Sequence, residues 1–422
     1  MNSNIDNEAL ENFKHIHFIG IGGSGMYPLV QILHKENHII SGSDNNPGDT
    51  IDTERKMGIT VYMGHKAENI EGADLVVYSA AIMKDNAELV AAREKGIPTM
   101  ERSILLGLVT QRYDNCICVC GTHGKTTTTS MITQTLLGCD LDPSAVIGGK
   151  LSSIGGSGRV GSSDILVCEA CEYVDTFLRL SPDIVVILNV DADHLEYFKT
   201  IENIIKSFNK FASMATKTIV VNGDDENSLK SINTISGKKI VTYGLKETND
   251  YFAKNIIHKG AKCGFDLYHK GKYIDHVQLS VNGQHNVLNA LACYCACLEV
   301  NAKQDDIIKS IDDFKGAHRR FDILGTKNGI TFADDYAHHP AEIKVTLETA
   351  KEMGYKDVWC VHQPFTFSRT KILLDDFANA LKVADKVVLS AIMGGRETNT
   401  YNIHTKDLAD KIDGCVWFET FE

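Results

Sequence analysis

Nowhere in the 422 residues do about 18 apolar residues run together, so no segment reads as a membrane-crossing helix. The start, from Met1 to Asn12, is polar and acidic and lacks the basic and apolar regions of a secretory signal, so the chain is expected to stay in the cytoplasm. Positive charge is also short: 43 Lys and Arg stand against 55 Asp and Glu, a formal net charge of -12. That surplus would repel a nucleic-acid backbone, and no nucleic-acid partner is expected. Nucleotides remain possible ligands if Lys, Arg, backbone N–H groups or a metal ion neutralise them locally. Proline is scarce at 7 residues, and neither an internal repeat nor a low-complexity segment is visible.

The 12 cysteines lack a metal-ribbon pattern, because Cys168 and Cys171 form a C-x-x-C with no second pair. Cys116, Cys118 and Cys120 alternate in an apolar run, where a strand would point all three to one face. Cys293, Cys295 and Cys297 fall in a helical stretch, where only the outer two share a side. Reduced, mostly buried thiols used as small hydrophobes are expected.

The chain is too long for one core, since cores stop growing near roughly 250–300 residues, and about three domains are expected. Short apolar runs alternate with helical patterns throughout, which reads as α/β with parallel sheets. The first series, residues 1–112, holds runs at His17–Ile21, His38–Gly42 and Leu75–Tyr78. The second, 113–316, holds Cys116–Cys120, Ile165–Val167, Ile184–Leu188 and Thr218–Val221, and a hairpin is expected from Gly264–Tyr268 and Tyr273–Val277. The third, 317–422, holds Val358–Val361 and Lys386–Leu389 as expected buried strands. A further core strand, Cys415–Phe418, falls so close to Glu422 that this region is expected to be incomplete.

The run at Cys116–Cys120 leads directly into Gly121, Thr122, His123, Gly124, Lys125, Thr126 and Thr127, followed by a helical stretch from Ser130 to Leu137. A Gly-rich turn at a helix start aims backbone N–H groups at one spot, where the helix dipole also favours an anion. Lys125 would add a point charge for β/γ-phosphates and the Thr126 hydroxyl a ligand for Mg²⁺. The spacing departs from G-x-x-x-x-G-K-[ST], because position 119 is Val119. A second loop, Gly20, Ile21, Gly22, Gly23, Ser24 and Gly25, satisfies G-x-G-x-x-G, with Asp44 ending the next strand about twenty residues on. Such a loop reaches a pyrophosphate and the acid accepts a ribose hydroxyl, as either NAD or a UDP-sugar would require.

These loops, with Glu169–Glu172, Asn189–His194, Gly283–Asn289, His318–Asp322, Asp334–Pro340 and Ser368–Thr370 in this order, resemble the Mur ligases of bacterial cell-wall synthesis. The shortened phosphate loop is the form that this family uses, and the resemblance runs from about His15 to Ile412. It implies an α/β chain of three domains: a Rossmann-like UDP-sugar-binding domain, a central P-loop ATPase-like domain with a parallel sheet, and a C-terminal Rossmann-like ligase domain. Within the family, Gly22–Met26 favours the form that joins L-alanine to UDP-N-acetylmuramate with ATP through an acyl phosphate.

The resemblance also implies roles. Gly20, Gly22, Gly23, Ser24, Gly25 and Asp44 would hold the UDP-sugar. Gly121 to Thr127 would hold ATP, with His285 and Asn289 reading the adenine edge and Arg320 reaching the γ-phosphate. Thr126 and Glu169 would bind one Mg²⁺ and His194 a second. His338 would lie near the incoming amino acid, as a base or a positioning group, and Arg369 would pair with a substrate carboxylate. Lys125, Arg320 and His338 are the expected catalytic residues. Phe365 and Thr366 depart from the family's pattern, so the substrate contact that the family's histidine makes there is absent. Three alternatives stand beside this reading: a recycling ligase that attaches a preformed peptide to the same sugar nucleotide, an NAD-dependent oxidoreductase, and a non-catalytic nucleotide sensor.

Overall fold

The computed structural model describes residues 5–260, 262–395 and 397–420. Packing divides the chain into two compact units. The first takes in the chain up to Asn255 with Phe265–Val277 and Val287–His318. The second takes in Ile256–Gly264, Gln278–Asn286 and the chain from Arg319 onward.

The first sheet is built from β1 His15–Ile19, β2 Ile39–Asp44, β3 Thr60–Met63, β4 Leu75–Tyr78 and β5 Thr99–Glu101, in the order β3-β2-β1-β4-β5. All its pairs are parallel, with Ile16 opposite Ile40 on one side and Leu75 on the other. Alternation sends Ile16, Phe18, Leu75 and Val77 into one core and Ile19 and Val76 into another with Leu89 and Ala92. A parallel sheet needs both faces covered, and here both are. The chain order reverses beside β1, and in an open α/β sheet the crevice past the carboxyl ends at such a point is where ligands bind.

The second sheet is larger. Its strands are β6 Asn115–Cys120, β7 Ser144–Leu151, β8 Gly156–Arg159, β9 Ile165–Glu169, β10 Ile184–Ile187, β11 Thr218–Asn222, β12 Lys239–Gly244, β13 Tyr251–Lys259, β14 Lys262–His269 and β15 Lys272–Leu279. They run in the order β15-β14-β13-β12-β11-β10-β6-β9-β7-β8. The pairs around β6 are parallel, while β8 folds back antiparallel on β7. The expected hairpin is β14–β15, and its turn residues Lys270 and Gly271 take φ of 48° and 81°, as a two-residue turn requires. Cys116, Cys118 and Cys120 do share one buried face, and Cys293 Sγ lies 3.9 Å from Cys297 Sγ one helical turn away. One continuous core joins Phe18 and Leu33 of the first sheet's layer to Cys118, Val185 and Phe208 of the second's, so the two sheets form one unit.

The second unit carries a hairpin, β16 Asp322–Lys327 with β17 Ile330–Asp334, and a parallel sheet of β18 Trp359–His362, β19 Lys386–Leu389 and β20 Val416–Trp417. Its core is Ile343, Leu347, Phe377, Leu381, Val387, Leu389 and Leu408. Two of the expected buried strands are half-exposed. Trp359 and Val361 of β18 are 65% and 76% exposed, and Val416 and Phe418 also face outward. Among the described residues β18 and β20 each pair with β19 alone, so alternate side chains along these edges have nothing to pack on.

Candidate active site

Strand β6 delivers the phosphate loop, and two glycines shape it. Gly121 has φ of 146° and Gly124 of 86°, and a Cβ on either would come within 2.9 Å of a neighbour, Leu188 or Asn289. Gly124 caps the helix Lys125–Gly138, which therefore starts five residues before the apolar pattern suggests. The segment after β10 clamps the loop from the side. The amide of Thr122 donates to Asn189 O (3.0 Å) and that of His123 to Asn189 Oδ1 (2.8 Å), while Asp191 N donates to Thr122 Oγ1 (2.8 Å). Thr128 Oγ1 donates to Asn289 Oδ1 (3.1 Å), so Asn289 braces the base of the loop.

Lys125 lies folded over this turn. Its Nζ donates to Gly121 O (2.6 Å) and Thr122 O (3.1 Å) and sits 3.0 Å from Glu172 Oε2. Burial alone would lower the pKa of this ammonium, but Glu172, Cys171 and Glu169 outweigh it and hold the group above its ordinary value. The charge is therefore in place before an anion arrives. Glu172 is itself buried, and sequence reasoning assigned it no role, since its partner lies 47 positions away in the chain.

Beside the lysine, Thr126 Oγ1 donates to Glu169 Oε1 (3.1 Å) and Gly148 N donates to Glu169 Oε2 (2.8 Å). A Cβ at Gly148 would lie 2.6 Å from both carboxylate oxygens, so the glycine keeps that face of the carboxylate open. Two hard oxygen donors suit Mg²⁺, which keeps waters and shares substrate phosphates. Among the described residues no three His, Cys, Asp or Glu gather into a closed metal cage. His194 sits on the turn after Asp191, in a left-handed conformation (φ 53°), with Nε2 3.7 Å from Asp193 and its ring 4.7 Å from that of Tyr173. Val174 and Asp175 facing this turn are left-handed as well, and a β-branched residue adopts that conformation only when its surroundings impose it. Asp175 is held by Tyr197 Oη (2.7 Å) and by Ser207 Oγ.

The other glycine loop closes on β2. Gly20 N and Ile21 N both donate to Ser43 O (2.8 and 3.1 Å), and Gly22 N donates to Asp44 Oδ2 (3.1 Å). A Cβ at Gly22 would press on Ile51 and Asp44, so a side chain there would dislodge the acid. Beneath the loop Glu88 is fully buried. Burial works to raise its pKa, but the His17 ring 3.5 Å away and hydrogen bonds from Ser43 and Asn69 outweigh that and hold it ionised. Glu54 is buried without such partners, and burial, with Asp44 nearby, pushes it up to about 8.

The second unit gathers the remaining expected residues. Arg320 and Arg319 flank the Tyr336 ring at 5.8 and 4.8 Å, and Arg319 Nε donates to Asp334 Oδ2 (3.1 Å). Burial raises Asp335, although the Phe321 and Ala337 amides donate to it. His338 Nδ1 is 2.8 Å from Tyr336 O, which fixes the proton on that nitrogen, and its ring is 6.3 Å from that of Phe365. Thr366 caps the helix Phe367–Ile372 by accepting from Arg369 N (3.3 Å), so it serves the backbone that carries Arg369. Burial lowers His285 to about 4, which leaves it a neutral ring with one donor and one acceptor at neutral pH.

Comparison with known proteins bears on this arrangement. Residues 15–114 match the profile described as "Mur ligase family, catalytic domain", 119–297 "Mur ligase middle domain", and 319–422 "Mur ligase, glutamate ligase domain". A protein of Caldanaerobacter subterraneus named UDP-N-acetylmuramate–L-alanine ligase is 47% identical over 96% of this chain and 88% of its own length. One of the same name from Acetivibrio thermocellus is 44% identical over 95% of this chain and 86% of its own. The crystal structure of UDP-N-acetylmuramate-alanine ligase from Thermotoga maritima superposes with a TM-score of 0.82 at 28% identity, covering 97% of this chain and 91% of that one. With the shortened phosphate loop, the threonine–glutamate pair beside it and a second glycine loop on the neighbouring sheet, this likeness leaves one conclusion: the chain belongs to the Mur ligase family.

Proposed function

We propose that this protein joins L-alanine to UDP-N-acetylmuramate, consuming ATP and releasing ADP and phosphate, in the supply of peptidoglycan precursors in the cytoplasm. The observation that carries this is the 47% identity, along 96% of the chain, to a relative named for that reaction. Residues 1–112 are taken as the UDP-sugar domain, 113–316 as the ATP domain and 317–422 as the amino-acid domain.

A carboxylate is a poor electrophile, so its oxygen first attacks the γ-phosphorus and ADP leaves. The amine then attacks the acyl phosphate carbon, and collapse of the tetrahedral intermediate expels phosphate as the amide forms. The protein's work is charge neutralisation and aim. Lys125 releases Glu172 to meet the β/γ-phosphates, the loop amides and helix N-terminus receive the remaining charge, and Arg320 meets the γ-phosphate. Thr126 and Glu169 would hold Mg²⁺, with His194 serving a second ion. The metal would screen phosphate charge during transfer. His285 and Asn289 would face the adenine, Gly20 to Gly25 and Asp44 the UDP, and Arg369 the substrate carboxylate. His338, with its proton fixed on Nδ1, offers Nε2 as an acceptor for the ammonium of the incoming amino acid.

The test is phosphate release with UDP-N-acetylmuramate, ATP and Mg²⁺, adding each amino acid and a muramyl-type tripeptide in turn. Release is expected with L-alanine. Release with the tripeptide alone would replace the reading with a recycling ligase. Tight NADH binding that UDP-sugar does not displace would replace it with an oxidoreductase. Nucleotide binding without turnover would leave a sensor.

A further inference from the structure

Strand β9 ends at Glu169, and the chain then turns through Glu172, Tyr173, Val174 and Asp175 before Phe177 enters the core. Val174 and Asp175 are consecutive left-handed residues, with φ of 53° and 56°. Side-chain burial does not explain this, because Tyr173 and Val174 are both exposed. The turn is held from its ends. The Asp175 amide donates to Glu172 O (2.9 Å) and that of Phe177 to Cys171 O (3.0 Å), while Phe177 stacks on Phe211 with ring centroids 4.5 Å apart. At the near end Glu172 pairs with Lys125, and the next residue, Tyr173, sets its ring 4.7 Å from that of His194.

The segment that carries His194 needs outside support. It is a single helical turn, Leu195–Phe198, with left-handed residues at both ends, His194 at φ 53° and Lys199 at φ 70°. One turn of helix does not hold itself. Its far end is fixed, since Phe198 is buried and Asn203 Nδ2 donates to Phe198 O (2.8 Å). Toward its near end it meets the strained turn in two contacts, the Tyr173–His194 ring pair and the bond from Tyr197 Oη to Asp175 Oδ2 (2.7 Å). Asp175 is held on its other oxygen by Ser207 Oγ of the helix Ile201–Met214. At 3.7 Å from Asp193 Oδ2, His194 Nε2 is beyond hydrogen-bond range of that carboxylate.

We infer that Tyr173 is a positioning residue: its ring holds the His194 imidazole in the orientation that a second divalent cation requires, and the Tyr197–Asp175 bond latches the turn that carries Tyr173. This rests on the reading of His194 as the residue serving a second ion. The strain at Val174 and Asp175 then has a use, because it keeps the ring beside His194 before any ion arrives. A ligating imidazole binds well when its neighbours fix its rotation, and an aromatic pair at this separation supplies such a contact. The same turn thus addresses the lysine through Glu172 and the histidine through Tyr173.

Titration of Mn²⁺ into the whole protein, followed by electron paramagnetic resonance with UDP-N-acetylmuramate and a non-hydrolysable ATP analogue present, tests this. The proteins compared are wild type, Tyr173→Leu, Tyr173→Phe, Tyr197→Phe and His194→Ala. Tyr173→Leu is expected to weaken the weaker of two Mn²⁺ sites by about 3–10-fold, the range of one aromatic pair, with the other site and the melting temperature unchanged. The Mg²⁺ needed for half-maximal turnover should rise in proportion, and kcat at saturating Mg²⁺ should return toward wild type. Tyr173→Phe, which keeps the ring, should bind Mn²⁺ as wild type does, and Tyr197→Phe should weaken the same site by loosening the latch. Unchanged Mn²⁺ affinity in Tyr173→Leu would overturn the inference, as would equal weakening in Tyr173→Phe, which would move the role to the hydroxyl. A single Mn²⁺ site in wild type, or two sites unchanged in His194→Ala, would overturn the reading of His194, and this inference with it.

Discussion

Glu54 lies on the helix Asp49–Lys56 with both carboxyl oxygens out of water and without hydrogen-bond partners, and Asp44 adds repulsion to that burial. Its folded pKa of about 8 stands above the ordinary 4.5. Below that ordinary value both the folded and unfolded chain hold the proton, and the group costs nothing through ionisation. As pH rises toward 8 the unfolded chain gives up its proton while the folded chain keeps it, so stability falls. Glu54→Gln should therefore gain on wild type by about 1.4 kcal/mol per pH unit across that window, and denaturant unfolding at pH 5, 7 and 9 would measure the gap. A constant gap would refute it. Lys125 poses the opposite case, a buried charge that is paired. Lys125→Ala should cut turnover by about 10²–10³-fold, the scale of one preorganised electrostatic group, and should also destabilise by stranding Glu172. Adding Glu172→Gln should restore the melting temperature but not turnover; recovery of turnover would remove Lys125 from the chemistry. The phosphate loop was legible because its residues are adjacent in the chain. Glu54 and Glu172 were not, because their meaning comes from burial and neighbours that only folding supplies.

The β7–β8 hairpin was invisible to pattern reading, since Gly148, Gly149, Gly155, Gly156 and Gly158 give it little strand character. Packing explains those glycines. Gly148 and Gly149 lie against Glu169 and Thr126, while Gly156 and Gly158 receive Tyr27 and Pro28 of the helix that follows the first glycine loop. Ser157 Oγ also donates to Ser24 O (2.8 Å). One hairpin thus supports both glycine loops. A methyl at Gly158 would lie 2.5 Å from Pro28 Cβ, so Gly158→Ala must displace the helix Tyr27–Lys35. A loss of about 1–3 kcal/mol is expected, as for overpacking in a core, with a raised KM for UDP-N-acetylmuramate. Gly155→Ala is the contrast: its φ of 68° carries a backbone penalty of about 1 kcal/mol, but its methyl meets nothing within 4 Å. Kinetics of the two variants should separate them, and an equal rise in KM would argue against the hairpin as a support for the first glycine loop. The apolar strands β6, β10 and β11 were legible because near-continuous Val, Ile and Cys runs have few other uses in a parallel sheet.

At the scale of the whole molecule, the residues proposed to bind nucleotide phosphates and the UDP-sugar lie in the first unit. Arg320, His338 and Arg369 lie in the second, as does His285 of the proposed adenine contact. Packing groups the first two sheets around one shared core, and no apolar pattern announces which cores will merge. The partition has a kinetic consequence. If ground-state binding rests on the first unit and on His285, and Arg320 acts on charge that develops at the γ-phosphate, loss of Arg320 should spare affinity and reduce turnover. Arg320→Ala is expected to lower kcat by about 10²-fold or more, the scale for a group aimed at transition-state charge. Calorimetric affinities for UDP and for a non-hydrolysable ATP analogue should remain within about twofold, well under one kcal/mol. The Tyr336 ring beside Arg320 allows a control, since Tyr336→Leu should disturb the arginine's placement without removing its charge and give a smaller loss of kcat. A parallel fall in ATP affinity for Arg320→Ala would mean that the arginine holds ground-state nucleotide, and the division of labour between the units would have to be redrawn.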